Sequence, residues 1–366
     1  MKTLFPRRVL RVGADLRAAW HARRWPAARP EVGPYLLASV FTAAAFAQAP
    51  LVIAHRGASG YLPEHTLAAK AQAHALGADY LEQDLVLTRD DVPVVLHDIY
   101  LDTVSDVAKK FPGRQRADAR FYVLDFTLAE VKQLRVSERF NVKTGRPVYP
   151  QRYDSQAFPS SFQIATLEEE LQLIQALNRS TGRAVGIYPE IKQPKWHRAQ
   201  GHDLSKAVLP ILSRYGYATK EDACFLQCFE LAEVRRLRGE LGWRGRLVML
   251  IDSKAKGEDG TEHNYLCSSM GLKELAAMVD GIGPTIGRIV SWPAPGAAAS
   301  ITELVKLAHA ERLVVHPYTV RRDDLPKNCP SVEALHAALF RDAGVDGVFT
   351  DFSDVTAAWV RQNGGR

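Results

Sequence analysis

The chain has 366 residues and a formal net charge of +6 at pH 7, with a composition ordinary for a soluble globular protein. The excess charge lies wholly in residues 1–49, which contain eight basic and two acidic residues, whereas the remaining residues carry 39 of each sign. Because the main part of the chain is balanced, the charge gives no support to a nucleic-acid-binding protein. The length suits two domains, or one barrel of about 250 residues with an insertion.

Residues 1–47 have the layout of a secretory leader. A basic segment is followed by the apolar run 35–41 and by Ala45-Phe46-Ala47, which matches the small-residue pattern of a cleavage site. The apolar run is too short to span a bilayer, so we expect no stable membrane insertion. We predict an exported, periplasmic protein whose mature domain occupies residues 48–366. A basic region of this length is unusual, and a disordered tail on a cytosolic protein is the alternative.

The first predicted strand, Leu51–Ala54, ends abruptly in His55-Arg56-Gly57. Such an end is typical of a parallel barrel strand that delivers polar groups to a site. Gly57 and Gly60 then predict a turn that passes closely by a ligand. The run from Thr66 to Leu76 is helix-forming, with Gly77 at the position of a C-terminal cap.

The second predicted strand, Tyr80–Val86, places two carboxylates on one face. Because side chains alternate along a strand, Glu82 and Asp84 point the same way, roughly 6.6–7 Å apart. That separation suits two ligands to one hard cation. After a turn at Asp90-Asp91, the segment 92–96 predicts a returning strand that ends at His97-Asp98.

The rest of the chain alternates between strand and helix after a long irregular stretch, about 102–160, in which Thr127 and Glu130 predict a capped helix. A second capping box, Thr166 and Glu169, opens a helix that ends at Gly182. Later helices are predicted near 205–215, 231–241, 272–278, 301–310 and 332–343. The predicted strands begin at residues 51, 80, 184, 224, 246, 279, 313 and 347. Eight parallel strands predict an α/β fold of the TIM-type (β/α)8 barrel class.

In such a barrel the functional groups lie at the C-terminal ends of the strands. The polar and aromatic residues that fall there are His55, Arg56, Glu82, Asp84, Glu190, Lys192, Gln227, Phe229, His316, Tyr318 and Asp351. The three carboxylates from neighbouring strands, Glu82, Asp84 and Glu190, favour Ca²⁺ or Mg²⁺ over zinc. Of these two cations we expect Ca²⁺, with Mg²⁺ as the alternative. His55 and His97 titrate nearest neutrality and suit a general acid and a general base. Arg56 and Lys192 would hold phosphate oxygens.

The pattern resembles the glycerophosphodiester phosphodiesterase family, in its periplasmic branch. The resemblance rests on His55-Arg56-Gly57, Pro63-Glu64-His65-Thr66, the Glu82/Asp84 pair and His97-Asp98, and on later blocks such as Tyr188-Pro189-Glu190-Ile191-Lys192. It implies a barrel with a small insertion, here about 102–160, over the mouth of the site. It also implies that the two histidines are the acid–base pair and that the three carboxylates bind the metal. In the family a substrate hydroxyl attacks phosphorus and water opens the resulting cyclic phosphate.

Several residues receive weaker predictions. Glu64 either orients neighbouring site groups or caps a helix, and His65 replaces the family's Asn and would alter hydrogen bonding around the site. Phe229 and Trp292 are predicted to line the glycerol pocket, with core packing as the alternative for Phe229 and an exposed loop position as the alternative for Trp292. His316 and Tyr318 belong either to the pocket or to the barrel packing. The remaining histidines, His74, His197, His202, His263, His309 and His336, are predicted to be solvated or structural.

Four cysteines are too few for a disulfide scaffold. Cys224 and Cys228 would lie about 13 Å apart on one strand, too far to bridge. A bond between Cys267 and Cys329 stays open. No cysteine or histidine cluster predicts zinc.

The predicted function is metal-dependent hydrolysis of glycerophosphodiesters to sn-glycerol 3-phosphate and an alcohol. The alternatives are a phospholipase D-like enzyme acting on intact lipids and a non-catalytic surface-binding protein on the same barrel. The predicted partners are small-molecule substrates, and the oligomeric state is left open.

Overall fold

The computed structural model describes residues 49–155, 157 and 161–363. The predicted leader, residues 1–47, lies outside this part, so its prediction rests on the sequence alone. The strands are β1 (Leu51–Ala54), β2 (Tyr80–Leu87), β3 (Pro93–Val95), β4 (Gly186–Ile191), β5 (Phe225–Cys228), β6 (Arg246–Ile251), β7 (Gly281–Pro284), β8 (Val290–Ser291), β9 (Ser300–Ile301), β10 (Val314–Val315) and β11 (Gly347–Thr350).

The helices surround these strands. They are α1 (Leu67–Ala75), α2 (Val107–Lys110), α3 (Leu128–Val131), α4 (Leu167–Thr181), α5 (Pro194–Ala199), α6 (Leu204–Arg214), α7 (Leu231–Gly239), α8 (His263–Leu266), α9 (Ser269–Ala276), α10 (Leu304–Ala310), α11 (Val332–His336) and α12 (Ser353–Asn363). After α11 the chain continues as a π-helical segment, Ala337–Ala343, and short 3₁₀ turns occur at Val123–Asp125 and Ile286–Arg288.

Eight parallel strands form a nearly closed barrel. Their order in the sheet is β10-β7-β6-β5-β4-β2-β1-β11. The two ends of the sheet meet where Asp346 N donates to Val315 O at 3.1 Å and Phe349 N donates to Pro317 O at 3.0 Å. Strand β3 is antiparallel to β2 and lies off this ring. The predicted TIM-type barrel is confirmed.

The capping signals in the sequence act as predicted. In α4 the Thr166 side chain accepts from the Glu169 backbone, and the Glu169 side chain accepts from the Thr166 backbone, which satisfies two donors at the start of the helix. Gly182 ends this helix in the left-handed conformation, with φ of 70°. The same box at Thr127 and Glu130 opens α3.

Two local predictions need correction. The helix predicted over 301–310 is present but begins only at Leu304, because Ser300–Ile301 pairs antiparallel with Val290–Ser291 in a two-stranded ladder. Gly57 and Gly60 make room for protein rather than for a ligand. A Cβ on Gly57 would lie 2.9 Å from the Ala69 backbone, and one on Gly60 would lie 2.4 Å from the ring of Phe352.

The barrel has separate inner and outer cores. The inner core is aromatic: Tyr188 stacks on Phe225 with ring centroids 5.1 Å apart, and its edge meets Phe349. The outer core lies between the strands and the helices. Residues of the predicted insertion form a further cluster with β3 and the end of β2, which includes Leu101, Phe121 and Phe126. The insertion therefore has its own apolar support beside the barrel.

All four cysteines lie within the described part of the chain, and all four are free thiols. Cys224 and Cys228 are buried.

Candidate active site

A cavity of about 270 Å³ opens at the C-terminal end of the barrel strands. The sequence predicts a catalytic, metal-binding or substrate-binding role for nine residues. Eight of them line this cavity: His55, Arg56, Glu82, Asp84, His97, Glu190, Lys192 and Phe229. Gln227, Tyr318 and Arg321 also line the cavity. These residues lie at the C-terminal ends of five barrel strands, β1, β2, β4, β5 and β10, as the fold predicts, and His97 follows β3.

Trp292 is the exception. It follows β8, its side chain is packed in the outer core, and only 6% of the residue is exposed. Its carbonyl accepts a hydrogen bond from Asn328 Nδ2 at 3.0 Å. The predicted pocket role is therefore not supported, and the alternative of an exposed loop position is wrong. The β8–β9 pairing folds this segment back against the barrel. The neighbouring Gly and Pro residues indicate a loop and give no sign of this pairing.

Three buried carboxylates face one another in the cavity. Each of Glu82, Asp84 and Glu190 offers one oxygen, and these oxygens all lie within 4.8 Å of one another. Asp84 pairs with Glu190 across the β2–β4 ladder, which places the two side chains side by side. Asp84 Oδ1 is buried and has no hydrogen-bond partner among the described residues. An all-oxygen donor set with an unsatisfied buried oxygen fits a hard divalent cation such as Ca²⁺ or Mg²⁺.

The three carboxylates differ in how readily they ionise. Burial and the neighbouring Asp84 charge raise the pKa of Glu82 well above its ordinary value. Burial likewise raises the pKa of Glu190 to about 8. Burial opposes ionisation of Asp84 as well, but Lys192 and His65 outweigh it and hold the pKa of Asp84 well below its ordinary value. Of the three, Asp84 therefore keeps its charge most firmly.

Lys192 and His65 are the partners that hold the carboxylates in place. Lys192 Nζ lies 2.9 Å from Glu190 Oε1 and 3.7 Å from Asp84 Oδ1. His65 Nε2 lies 2.7 Å from Asp84 Oδ2. His65, which stands where the family has Asn, therefore hydrogen-bonds Asp84, a predicted metal ligand.

His55 forms a dyad with Asp351. His55 Nδ1 lies 2.6 Å from Asp351 Oδ1, and both side chains are buried. The other carboxylate oxygen, Oδ2, accepts from Arg152 Nη2 at 2.7 Å and from Arg321 Nε at 2.8 Å. Burial opposes ionisation of Asp351, but His55 and the two arginines hold its pKa below its ordinary range. Because an ionised Asp351 accepts from Nδ1–H, Nε2 of His55 remains for proton exchange.

His97 forms the matching dyad with Asp98. His97 Nδ1 lies 2.7 Å from Asp98 Oδ1, and Asp98 Oδ2 accepts from Thr103 Oγ1 at 2.8 Å and from Arg139 Nη1 at 2.7 Å. Burial lowers the pKa of both histidines, His55 and His97, to about 4, and the nearby Arg56 adds to the effect. Both imidazoles are therefore neutral at pH 7, the form in which a histidine can accept a proton.

Glu64 positions Arg56. Arg56 Nη1 donates to Glu64 Oε2 at 2.9 Å, while Arg56 Nε lies 3.5 Å from Asp84 Oδ2. The start of α1 is capped by Thr66, whose side chain accepts from Ala69 N. Of the two predictions for Glu64, orientation of a site residue is confirmed and helix capping is wrong.

The contacts of the other aromatic and histidine residues decide between the predicted roles. Phe229 and Tyr318 both line the cavity and meet edge to face, with ring centroids 5.8 Å apart. His316 belongs to the barrel packing, because its Nδ1 lies 3.0 Å from the buried Tyr188 hydroxyl. His74, His197, His202, His309 and His336 each contact a protein polar atom away from the main cavity, in keeping with structural or surface roles.

Sequence reasoning missed the arginines that support the dyads. Arg139 and Arg152 come from the predicted insertion, and Arg321 follows β10. No local pattern marks them, because a charged residue in a polar loop has no periodicity. Asp351 had one signal, its position directly after the last strand.

Comparison with known proteins gives a family match. The profile of the glycerophosphoryl diester phosphodiesterase family matches residues 55–355. This chain belongs to that family. The family match begins at His55 and includes every residue that lines the main cavity. The chain is accordingly an enzyme, a phosphoric diester hydrolase.

Two curated relatives cover most of the chain. The glycerophosphodiester phosphodiesterase of Haemophilus influenzae is 43% identical over 328 residues, which is 85% of this chain and 90% of the relative. The glycerophosphodiester phosphodiesterase of Treponema pallidum is 35% identical over 323 residues, covering 83% and 90% of the two chains.

Two solved structures share the fold. An Oleispira antarctica phosphodiesterase in complex with the product sn-glycerol-3-phosphate has a TM-score of 0.57 at 20% identity, covering 85% of this chain and 97% of that one. The Thermotoga maritima glycerophosphodiester phosphodiesterase has a TM-score of 0.52 at 18% identity, covering 84% and 97%. Both similarities support the barrel assignment. Within the described residues, no helix is both long and apolar enough to cross a membrane.

Proposed function

We propose that this enzyme hydrolyses glycerophosphodiesters to sn-glycerol 3-phosphate and an alcohol, with a divalent cation held by Glu82, Asp84 and Glu190. The observation that carries the proposal is the meeting of this carboxylate triad with two histidine–aspartate dyads in one cavity. The names of the two curated relatives and the product bound by the Oleispira antarctica protein support the same substrate class.

Each group has its own role in the proposed reaction. A cation bound by the triad would offset negative charge on the non-bridging phosphate oxygens. Arg56, fixed by Glu64, holds a phosphate oxygen, and Lys192, which contacts Glu190 and Asp84, supports the triad and offers a second positive charge to the phosphate. His55 and His97 act as the acid–base pair. One, in its neutral form, takes the proton of the attacking hydroxyl or water; the other, protonated when the anionic phosphate binds beside it, gives its proton to the leaving oxygen.

The test is an assay of the purified enzyme on a panel of glycerophosphodiesters, with coupled detection of sn-glycerol 3-phosphate. We expect product from the panel, loss of activity with chelator and recovery with Ca²⁺ or Mg²⁺. An intact phospholipid in the same assay separates the phospholipase D-like alternative, which would release the alcohol and leave phosphatidic acid. Release of a phosphorylated alcohol, with free glycerol as the other product, would overturn the proposed bond cleavage. Full activity in chelator would overturn the metal assignment.

We further propose that the protein is exported and that its leader is removed. The support is the basic segment, the apolar run 35–41 and the Ala45-Phe46-Ala47 pattern. Mass spectrometry of protein recovered from the periplasm of an expressing bacterium should find a chain that starts near Gln48. An intact chain in the cytosolic fraction, with none in the periplasm, would contradict this proposal.

A further inference from the structure

A charged pair lies in the helix layer behind the active site. Lys70 on α1 and Glu170 on α4 are both completely buried, and Lys70 Nζ lies 3.0 Å from Glu170 Oε2. A lysine is seldom fully buried, and a buried ion pair adds little net stability, since each charge has lost its water. An apolar side chain would serve packing as well, so the charge of Lys70 points to a role other than packing.

Lys70 reaches the strand that carries two of the proposed cation ligands. Its Nζ donates to the backbone carbonyl of Glu82 in β2 and lies 3.3 Å from Nδ1 of His65. Together with Glu170, these contacts offer one acceptor to each of the three N–H groups of an ammonium. The side chain therefore joins the helix layer to β2 and to the loop before α1.

The contact with Lys70 decides which nitrogen of His65 carries the proton. An ammonium can only donate, so Nδ1 of His65 accepts and the ring proton lies on Nε2. Nε2 lies 2.7 Å from Asp84 Oδ2, to which it donates. The opposite tautomer would set an N–H against the ammonium and a lone pair against the carboxylate. Because both of those contacts would be repulsive, the two neighbours select the same tautomer.

The orientation of Asp84 follows from this chain of contacts. Its Oδ2 is occupied by His65, whereas its Oδ1 is buried and has no hydrogen-bond partner among the described residues. A carboxylate that is held by one oxygen presents the other in a fixed direction. Hydrogen bonds of this kind behind a ligand orient it and strengthen metal binding.

We infer that Lys70 is a positioning residue for the cation site: through its hydrogen bond to His65 Nδ1 it fixes the imidazole that holds Asp84. This inference rests on the proposed function, which places a divalent cation on the carboxylate triad. Lys70 is not among the residues that line the cavity, so it acts on the cation only through the groups that it holds.

Nitrogen-15 NMR of histidine-labelled, metal-free enzyme at pH 7 tests the first step. The long-range proton–nitrogen spectrum of His65, assigned by its absence in His65→Gln, should show a protonated Nε2 and an unprotonated Nδ1. A protonated Nδ1, in either the neutral or the charged ring, would exclude the hydrogen bond from Lys70 and overturn the inference.

Calorimetric titration with Ca²⁺ tests the second step. Lys70→Met is combined with Glu170→Gln, because removal of one partner alone would leave an uncompensated buried charge. Relative to Glu170→Gln alone, which keeps the ammonium, the combined variant should bind Ca²⁺ about tenfold more weakly. In a His65→Gln background, the same replacement of Lys70 should change the affinity by less than about threefold, because the imidazole through which it acts is absent.

Glu233→Gln is the matched control for the loss of a buried charge. Glu233 is a completely buried carboxylate of the helix layer that pairs with Arg198 and Arg236, and it lies outside the cavity lining. Its replacement should lower the melting temperature and leave the affinity for Ca²⁺ at its wild-type value.

The outcomes are distinct. Unchanged Ca²⁺ affinity in the combined variant, or an equal loss in the His65→Gln background, would overturn this inference while the proposed function stands. If the wild-type enzyme bound neither Ca²⁺ nor Mg²⁺, the metal assignment of the proposed function would fall, and this inference with it.

Discussion

Arg139 forms a bidentate ion pair with Glu64: Nη2 donates to Oε1 at 2.6 Å and Nε donates to Oε2 at 3.1 Å. The two residues are 75 positions apart in the chain, Arg139 in the insertion and Glu64 in the loop after β1. Glu64 in turn holds Arg56, and Arg139 Nη1 holds Asp98 behind His97. One arginine of the insertion therefore positions groups on two sides of the cavity.

Arg139→Gln should lower kcat by about 10²-fold, because a small displacement of catalytic groups has that effect. Arg139→Lys should restore little, since an ammonium cannot form the bidentate pair with Glu64. Steady-state kinetics with matched melting curves provides the measurement. Arg146→Gln removes the same charge from an exposed position of the insertion and should be neutral. Wild-type kcat in Arg139→Gln would show that the pair has no role in positioning.

His55→Ala and His97→Ala should each lower kcat by about 10²–10⁴-fold, since each removes one proton-transfer group. The double variant should lose far less than the product of the two single effects if the pair works as a unit. Circular dichroism and melting curves establish that the variants are folded. His202→Ala, at a histidine paired with Asp91 away from the cavity, is the control. Turnover close to wild type in either single variant would contradict the acid–base assignment.

Glu190→Gln tests the triad. The melting temperature of the wild type should rise with Ca²⁺ or Mg²⁺, in proportion to RT ln(1 + [L]/Kd). The variant should lose activity and most of that rise. Because the pKa of Glu190 is raised to about 8, glutamine resembles the protonated form at pH 7, and the metal-free variant should be no less stable than the wild type.

Glu303→Gln, which alters a surface carboxylate paired with Lys306, is the control for this experiment. A Glu190→Gln enzyme with native activity, or with an undiminished melting shift, would exclude Glu190 from the metal site.

His336 should make stability depend on pH. Burial lowers its pKa to about 4 from the ordinary 6.5, so between these values the unfolded chain binds a proton that the folded chain does not. The free energy of unfolding should therefore fall as the pH drops from 6.5 towards 4, by at most about 3 kcal/mol from this residue. Its contribution becomes constant about one pH unit above 6.5, where the unfolded chain no longer binds the proton.

Urea unfolding at pH 7 and pH 4.5 measures this contribution. His336→Gln keeps a donor near Thr356 Oγ1, the present partner of Nε2 at 3.0 Å. The variant should lose less stability on acidification than the wild type does. Identical losses in the two proteins would show that His336 is not the group that titrates.

Much of the barrel follows from local patterns in the sequence. Alternation of apolar strands and amphipathic helices predicts eight βα units because each element has its own periodicity. The two-residue period of β2 places Glu82 and Asp84 on one face, and the parallel barrel brings Glu190 to the same end. His55 and His97 follow from their positions at strand ends. These are short-range features, so a sequence displays them directly.

Only the tertiary structure decides which charged groups meet at the mouth of the barrel. Asp351 and His55 are 296 residues apart, and Arg152 lies 199 residues from Asp351. Trp292 is buried for the same kind of reason, because the β8–β9 pairing folds its segment back onto the outer core. Such contacts depend on where irregular loops return in space. A loop carries no periodicity from which its return can be predicted. The sequence therefore determined the candidate catalytic groups and their positions at strand ends, and the folded chain determined the partners that orient them.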